Sequence, residues 1–222
     1  LQWINTLHKE MKKYNHALYG VWYPRYVSLL GMLYSLTRRN EKAIEIHLDV
    51  LNNKKTKLNP VQRFNMELNL AWFYVNAGKH KETNRILVRQ EVSIPEMTAL
   101  MGQEWMMRRQ LMYALNQYEL KNEDISLQSL ADIRVRFKEL LGEVVYRKVV
   151  VFLETCEKYI KDPYALTRSQ TKEMVKRDME MFALELEENK SLAYYAWIIS
   201  KMDGTPYYET VLEIVKWKPD AK

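Results

Sequence analysis

The sequence has few of the residues that support several common kinds of protein. It contains one cysteine, Cys156, so no disulfide framework can form within the chain, and this mildly favours a reducing compartment. Its 222 residues include only 6 Gly and 6 Pro, which disfavours a turn-rich or disordered chain. No uninterrupted apolar run of about 18 residues occurs, which argues against a membrane span. We therefore predict a helical protein in the cytoplasm with no membrane partner.

Motifs that carry catalysis or metal binding are also missing. No two of the 4 histidines have the three- or four-residue spacing that places two ligands on one helix face, so we predict no metal site. The 6 isolated glycines do not form a phosphate-binding loop. Ser169 and Lys172 match an SxxK pattern, but its companion motifs in serine acyltransferases are absent. We expect no catalytic residue, no cofactor and no enzymatic activity.

The charge balance is mildly basic. The chain has 34 Lys and Arg against 28 Asp and Glu, a net charge of +6. Lys54, Lys55 and Lys57 form a compact basic cluster in a polar connection that ends at Pro60. Such a cluster can contact phosphates, but it is more often a solvated linker. Nucleic acid is therefore not the favoured partner.

The clearest positive signal is a helix, turn and helix between Leu68 and Leu87 that has an earlier copy. Apolar and small residues recur on one face of its first helix, and Gly78 follows where a left-handed cap is needed. A shift of 40 residues pairs Leu30 with Leu70, Gly31 with Ala71, Tyr34 with Tyr74, and Ala43 with Thr83. The small residues Gly31, Ala71 and Ala43 let two helices approach closely. A hairpin of this kind cannot bury its apolar face alone, so neighbouring hairpins are expected.

These positions resemble the tetratricopeptide repeat, whose members have a repeat of about 34 residues. The best matches are Leu70, Ala71, Tyr74, Gly78 and Leu87, with Leu30, Gly31, Tyr34 and Ala43 as the second copy. The resemblance implies an all-α fold, a right-handed α-solenoid of helix-turn-helix repeats. We predict one such domain over residues 1–222, with the clearest repeats at 22–58 and 61–92 and degenerate helical hairpins over 96–217.

The beginning of the chain aligns with the middle of a repeat. Moving the second helix of the first clear repeat, about Glu41 to Asn53, back by 40 residues places it on Leu1 to Lys13. This predicts a piece of a longer solenoid. A simple N-terminal capping helix is the open alternative.

Proline and apolar spacing set further helix boundaries. Pro24 and Pro60 are each expected in the first turn of a helix. The apolar pattern predicts one long helix from about Glu96 to Leu120. A long charged helix is expected from Thr167 or Ser169 to about Asn189.

The resemblance also implies a binding surface, because the first helix of each tetratricopeptide hairpin lines a concave groove. The residues expected in this groove are Arg25, Ser28, Met32, Asn65, Asn69, Trp72 and Asn76. Asparagine amides offer donors and an acceptor to a peptide backbone, and Trp72 can serve as an aromatic anchor. The alternative is that Trp72 is buried against the next hairpin and that the asparagines form an ordinary wetted face.

These features favour a non-enzymatic scaffold or adaptor that binds a protein or peptide segment in its groove. One alternative is a sensor or oligomerisation segment of a larger regulator, such as a transcription factor. A helical repeat that binds RNA is a second alternative, and it requires a continuous basic groove. The oligomeric state and the identity of the partner are left open.

Overall fold

A computed structural model describes residues 2–11, 13, 16–54, 56–89, 92–166, 173, 175, 177 and 189–216. All regular elements in these ranges are helical, as the sequence predicts. The α-helices are α1 (Gln2–Met11), α2 (His16–Leu36), α3 (Asn40–Asn52), α4 (Pro60–Asn76), α5 (His80–Val88), α6 (Ile94–Met101), α7 (Gln103–Glu119), α8 (Glu123–Arg136), α9 (Lys138–Leu141), α10 (Arg147–Lys161), α11 (Asn189–Asp203) and α12 (Tyr207–Lys216). Two short 3-10 helices are η1 (Val144–Tyr146) and η2 (Pro163–Leu166). The predicted charged helix after Thr167, like the SxxK residues, lies largely outside the described residues.

The chain divides into two compact units, Leu1–Met112 and Tyr113–Lys222. The division falls within α7. A single domain over residues 1–222 stays a prediction.

In the first unit, successive helices pack against one another. α1 packs on α2, α2 on α3, α3 on α4 and α4 on α5, and α2 also contacts α4 directly. Two apolar clusters fill the core between these helices. Their buried members are Met11, Tyr26, Val27, Val50 and Met66 in one cluster, and Ala43, Ile44, Leu70 and Phe73 in the other. Each cluster draws residues from both hairpins, so neither hairpin buries its apolar side alone.

Four helix pairs share one turn geometry. Three residues connect α2 to α3, α4 to α5, α7 to α8 and α11 to α12. In each connection one residue has a positive φ, and a backbone N–H bonds the carbonyl five residues earlier, which is the Schellman pattern of helix termination. The residues with positive φ are Arg38, Gly78, Lys121 and Gly204. The cap predicted at Gly78 is confirmed, and the turn after α7 repeats it.

Pro24 does not open its helix. It lies inside α2, which already begins at His16, so the predicted boundary is wrong. Stacking of Tyr19 on Tyr23 and of Tyr23 on Tyr26, at centroid distances of 5.1 and 6.2 Å, links the turns on both sides of the proline. The same tyrosines pack in the core cluster of Met11 and Val50, and this tertiary packing outweighs the lost backbone hydrogen bond. Pro60, by contrast, follows the N-cap Asn59 and opens α4 as predicted.

The long helix predicted from about Glu96 to Leu120 is two helices. Gly102 has a φ of 83° and separates α6 from α7. A single glycine inside an apolar helical pattern is commonly tolerated, so the pattern did not indicate this break. α6 begins at a capping box in which Ser93 and Glu96 bond each other's backbone N–H.

Gly31 lets α3 lie close against α2. A Cβ atom at this position would lie 2.4 Å from Cε1 of His47. The role predicted for a small residue here is therefore confirmed. His47 is completely buried, and its Nδ1 lies 2.9 Å from the carbonyl oxygen of Ala43. Because a carbonyl can only accept, Nδ1 carries the proton, and burial lowers the pKa of the imidazole to about 4.

In the second unit, α10 packs against α8 and α11, and α11 packs against α12. Tyr118, Tyr159 and Trp197 form an aromatic cluster with centroid distances of 5.5 to 5.9 Å. Trp197 donates its indole N–H to Glu119 at 2.7 Å, and Lys201 pairs with the same carboxylate at 2.6 Å. Burial is the main cause that raises the pKa of Tyr118. These contacts satisfy the polar groups of the cluster internally.

Candidate partner-binding surface

A row of polar contacts joins α2 to α4 along their length. Gln62 donates to the Val21 carbonyl at 3.3 Å, and Asn69 donates to the Ser28 hydroxyl at 3.1 Å. A third contact, from Asn76 to Ser35, repeats the same separation of 41 residues at 3.0 Å. The donors and acceptors each recur at seven-residue intervals, so the two helices run parallel in a fixed register. We call this row the α2–α4 seam.

The Asn76 end of the seam is a buried hydrogen-bond network. Asn76 is 6% exposed, and its partner Ser35 is fully buried. The Ser35 hydroxyl donates to the Asn40 side chain at 2.9 Å, and the Asn40 amide donates to the carbonyl of Phe73 at 2.7 Å. The burial of Asn76 differs from the prediction that it lines a groove. The network to which it belongs links α2, α3 and α4 instead.

The other predicted asparagines are also engaged within the chain. Asn65 accepts a hydrogen bond from the indole N–H of Trp105 at 3.1 Å and donates to the Val61 carbonyl at 3.0 Å. Asn69 is half-buried and occupied with Ser28. These amides therefore already link neighbouring helices.

Trp72 is half-buried rather than fully exposed. Its ring lies edge-on to Phe73 at 5.5 Å and packs against the core cluster of Leu70 and Phe73. The indole N–H is buried and has no hydrogen-bond partner among the described residues. An unbonded buried donor is costly, so this position is held by apolar packing.

Several exposed apolar side chains of the first unit lie beside the seam, on α2. Val21, Trp22 and Leu29 are 51%, 50% and 56% exposed. Helical spacing places Arg25 and the half-buried Met32 on the same side, whereas α3 covers the opposite side of α2. We call Val21, Trp22, Arg25, Leu29 and Met32 the α2 face. On α4, Val61 borders the seam on this side and is 38% exposed.

Arg25 is the one charged side chain of the α2 face. Its guanidinium lies 5.1 Å from the ring centroid of Trp22, within reach of a cation–π contact. α2 contains no Asp or Glu, and no carboxylate among the described residues forms an ion pair with Arg25. The face thus combines an apolar surface with one cation that no acid balances.

All seven predicted groove residues lie on α2 or α4, but only Arg25 and Met32 belong to the α2 face. Sequence reasoning missed Trp22 and Leu29. Their spacing from Arg25 and Met32 follows a three- and four-residue pattern that is visible in the sequence. α2 is apolar on all sides, however, so the pattern alone could not show which side α1, α3 and α4 leave open.

A cleft lies between α3, α4 and α5. This cleft encloses about 280 Å³. Its floor is apolar, with Leu48, Leu51, Leu70, Tyr74 and Ile86, and its rim carries Arg63, Arg85, Arg89, Glu67 and Glu82. Arg63 already faces Glu67 at 3.5 Å. Mixed charges of this kind do not select a ligand of one sign.

Other features bear on the remaining classes of partner. In the ranges that the structure describes, His, Cys, Asp and Glu side chains nowhere gather in threes or more with metal-binding geometry. None of the described helices has the length and apolar character to cross a bilayer. Lys54 and Lys57 are exposed, whereas Lys55 lies outside the described residues.

Comparisons with protein-family models, with curated proteins and with solved structures found no match for this chain.

Proposed function

We propose that this chain is a non-enzymatic scaffold or adaptor that binds a protein segment on the α2 face and the adjoining edge of α4. The observation that carries this proposal is the exposure of Trp22, Leu29 and Val21 on a helix with no acidic residue. A helix that is apolar all round is normally buried on every side. Contiguous exposed apolar surface on a soluble protein commonly marks an interaction site.

The surrounding helices support a rigid surface rather than a deforming one. The α2–α4 seam fixes the two helices in register, and the buried Ser35–Asn76 contact closes one end of it. A preorganised surface loses less conformational freedom on binding than a loose one.

The tetratricopeptide-like solenoid is the architecture that we propose for this surface. Two observations favour it: the recurring three-residue turns with a left-handed residue, and the parallel first helices of two successive hairpins. Stacked hairpins of this kind present their first helices on one side.

The test is affinity capture from nuclease-treated lysate of the source cells. The wild-type chain is compared with a variant that carries Trp22→Ser and Leu29→Ser. A matched control carries Val144→Ser and Val145→Ser, because these valines are 90% and 70% exposed in the other unit. Circular dichroism establishes that all three proteins are equally helical. We expect a protein partner that the wild type and the control retain and the α2-face variant loses.

Two results would contradict the proposal. Equal retention by all three proteins would place binding on another surface. A partner that the wild type captures from untreated lysate but not from nuclease-treated lysate would favour the nucleic-acid alternative.

A further inference from the structure

We infer that the segment bound by the α2 face is an amphipathic helix with a carboxylate, from Asp or Glu, that meets Arg25. This inference rests on the proposed function, because it names the chemistry of the partner at that same surface.

The spacing of the α2 face favours a helical occupant. Trp22, Arg25, Leu29 and Met32 follow one another at three- and four-residue intervals. This alternation forms a nearly straight stripe along a helix, the pattern by which one helix receives the side chains of another. The backbone of α2 is helical, so an extended peptide would find no strand edge to join. A second helix needs only side-chain contacts.

The charge of the α2 face favours an acidic residue in that helix. A partner that covers Trp22 and Leu29 must also cover Arg25 between them, and removing an unpaired guanidinium from water is unfavourable. A carboxylate resolves this by accepting two parallel N–H bonds from the guanidinium. The aromatic ring at 5.1 Å holds the guanidinium from one side and leaves its edge open to the carboxylate.

A second copy of this chain is a poorer occupant. Two α2 faces brought together antiparallel would place one Arg25 near the other, with no carboxylate on either α2 to separate them. Like charges across an interface are unfavourable. The α2 face therefore selects against itself and favours a partner of opposite charge.

The experiment selects peptides of about 16 residues, roughly four helical turns, from a random displayed library. Selection uses the wild-type chain, and peptides that also bind the Trp22→Ser, Leu29→Ser variant are removed. The best binder is synthesised with its acidic residue intact, changed to the amide, and changed to lysine. Affinities are measured for the wild type, Arg25→Gln and Arg25→Glu.

We expect selected peptides to carry an acid flanked by apolar residues at three- and four-residue spacing. The acid-to-amide change should weaken binding to the wild type about tenfold or more, because a charge-assisted hydrogen bond is lost. The same change should alter binding to Arg25→Gln by less than about twofold, and the lysine peptide should regain affinity on Arg25→Glu.

Four results would overturn the inference, and they separate it from the proposed function. Two of these results end the inference and leave the proposed function standing. In the first, peptides need Trp22 and Leu29 but contain no acidic residue. In the second, the acid-to-amide change weakens binding to Arg25→Gln as much as it weakens binding to the wild type. A wild-type dimer that the α2-face variant abolishes, seen by light scattering, makes a second copy the occupant. Failure to recover any peptide specific for the wild type ends both.

Discussion

Asn76 donates a side-chain hydrogen bond to the hydroxyl of Ser35 at 3.0 Å, and both residues are buried. Removing the amide leaves the Ser35 oxygen without this donor and opens a small cavity between α2 and α4. We expect Asn76→Ala to lower the free energy of unfolding by about 1–3 kcal/mol, as for other buried polar groups that lose a partner. Urea denaturation measures the change. Asn52→Ala, at an exposed position on α3, is the control and should cost less than about 0.5 kcal/mol.

Gly31 and Gly20 lie in the same helix and should respond to alanine with opposite signs. A Cβ at Gly31 would lie 2.4 Å from Cε1 of His47 and 3.1 Å from the Phe73 ring. A Cβ at Gly20 would meet no atom of a neighbouring residue within 4 Å. We expect Gly31→Ala to destabilise by about 1–3 kcal/mol through overpacking. Gly20→Ala should stabilise by about 0.5–1 kcal/mol, the usual gain of alanine in a helix. Thermal and urea unfolding test both variants.

A stabilised Gly31→Ala variant would show that the two helices separate freely at this contact. The double variant Gly31→Ala, His47→Ala distinguishes the cause further. Since it removes the ring that the new methyl group meets, the two substitutions should be coupled by more than about 0.5 kcal/mol.

His47 should make stability depend on pH below neutrality. Burial lowers the pKa of His47 from 6.5 to about 4, so the unfolded chain takes up this proton before the folded chain does. The contribution is complete above pH 6.5 and is lost as the pH falls towards 4. We expect the free energy of unfolding to fall by about 2 kcal/mol between pH 7 and pH 5.

The control for this prediction is His47→Gln, compared by slope rather than by absolute stability. Its unfolding free energy should change distinctly less over the same pH range. If both proteins lose stability in parallel, other groups govern the pH dependence and the imidazole is already accommodated in its charged form.

The shared turn predicts how glycine should act at its left-handed position. Arg38 has a φ of 62° and Gly78 a φ of 67° at equivalent points of two successive hairpins. Residues with a Cβ are strained there by about 1–2 kcal/mol. Arg38→Gly should therefore stabilise by about 0.5–1 kcal/mol after the entropy of glycine is subtracted, and Gly78→Ala should destabilise by about the same amount, 0.5–1 kcal/mol, for the same reason.

Arg38→Ala is the companion variant, because it removes the side chain without relieving the backbone. Denaturation of all three variants separates these effects. Equal stability of Arg38→Gly and Arg38→Ala would mean that the side chain, not the conformation, determines the effect at this turn.

The sequence was sufficient for local features that few residues determine. Pro60 and Gly78 act through their own backbone constraints, so the start and the end of α4 could be predicted from the residues alone. Pro24 and Gly102 show the limit of this reasoning. Pro24 lies inside α2, where tyrosines pack around it. Gly102 ends α6, although the apolar helical pattern continues beyond it.

The sequence indicated the helices of the candidate site but not the contacts of their side chains. The sequence predicted that Ser28 and Asn69 line the same surface. It could not show that the Asn69 amide would donate a hydrogen bond to the Ser28 hydroxyl. Whether a polar residue on a helix face meets water or a neighbouring helix depends on tertiary packing. For the same reason the exposure of Trp22 and Leu29 could be identified only with α3 and α4 in place.

The constant separation of 41 residues along the α2–α4 seam also governs which changes of length the protein can absorb. One residue inserted within α4, between Gln62 and Asn76, would rotate everything after it by about 100° and move Asn76 away from Ser35. An insertion between α3 and α4 would leave every contact of the seam in register. Natural variants of different length should therefore differ in the connections between helices, while both helices of the seam keep their residue count.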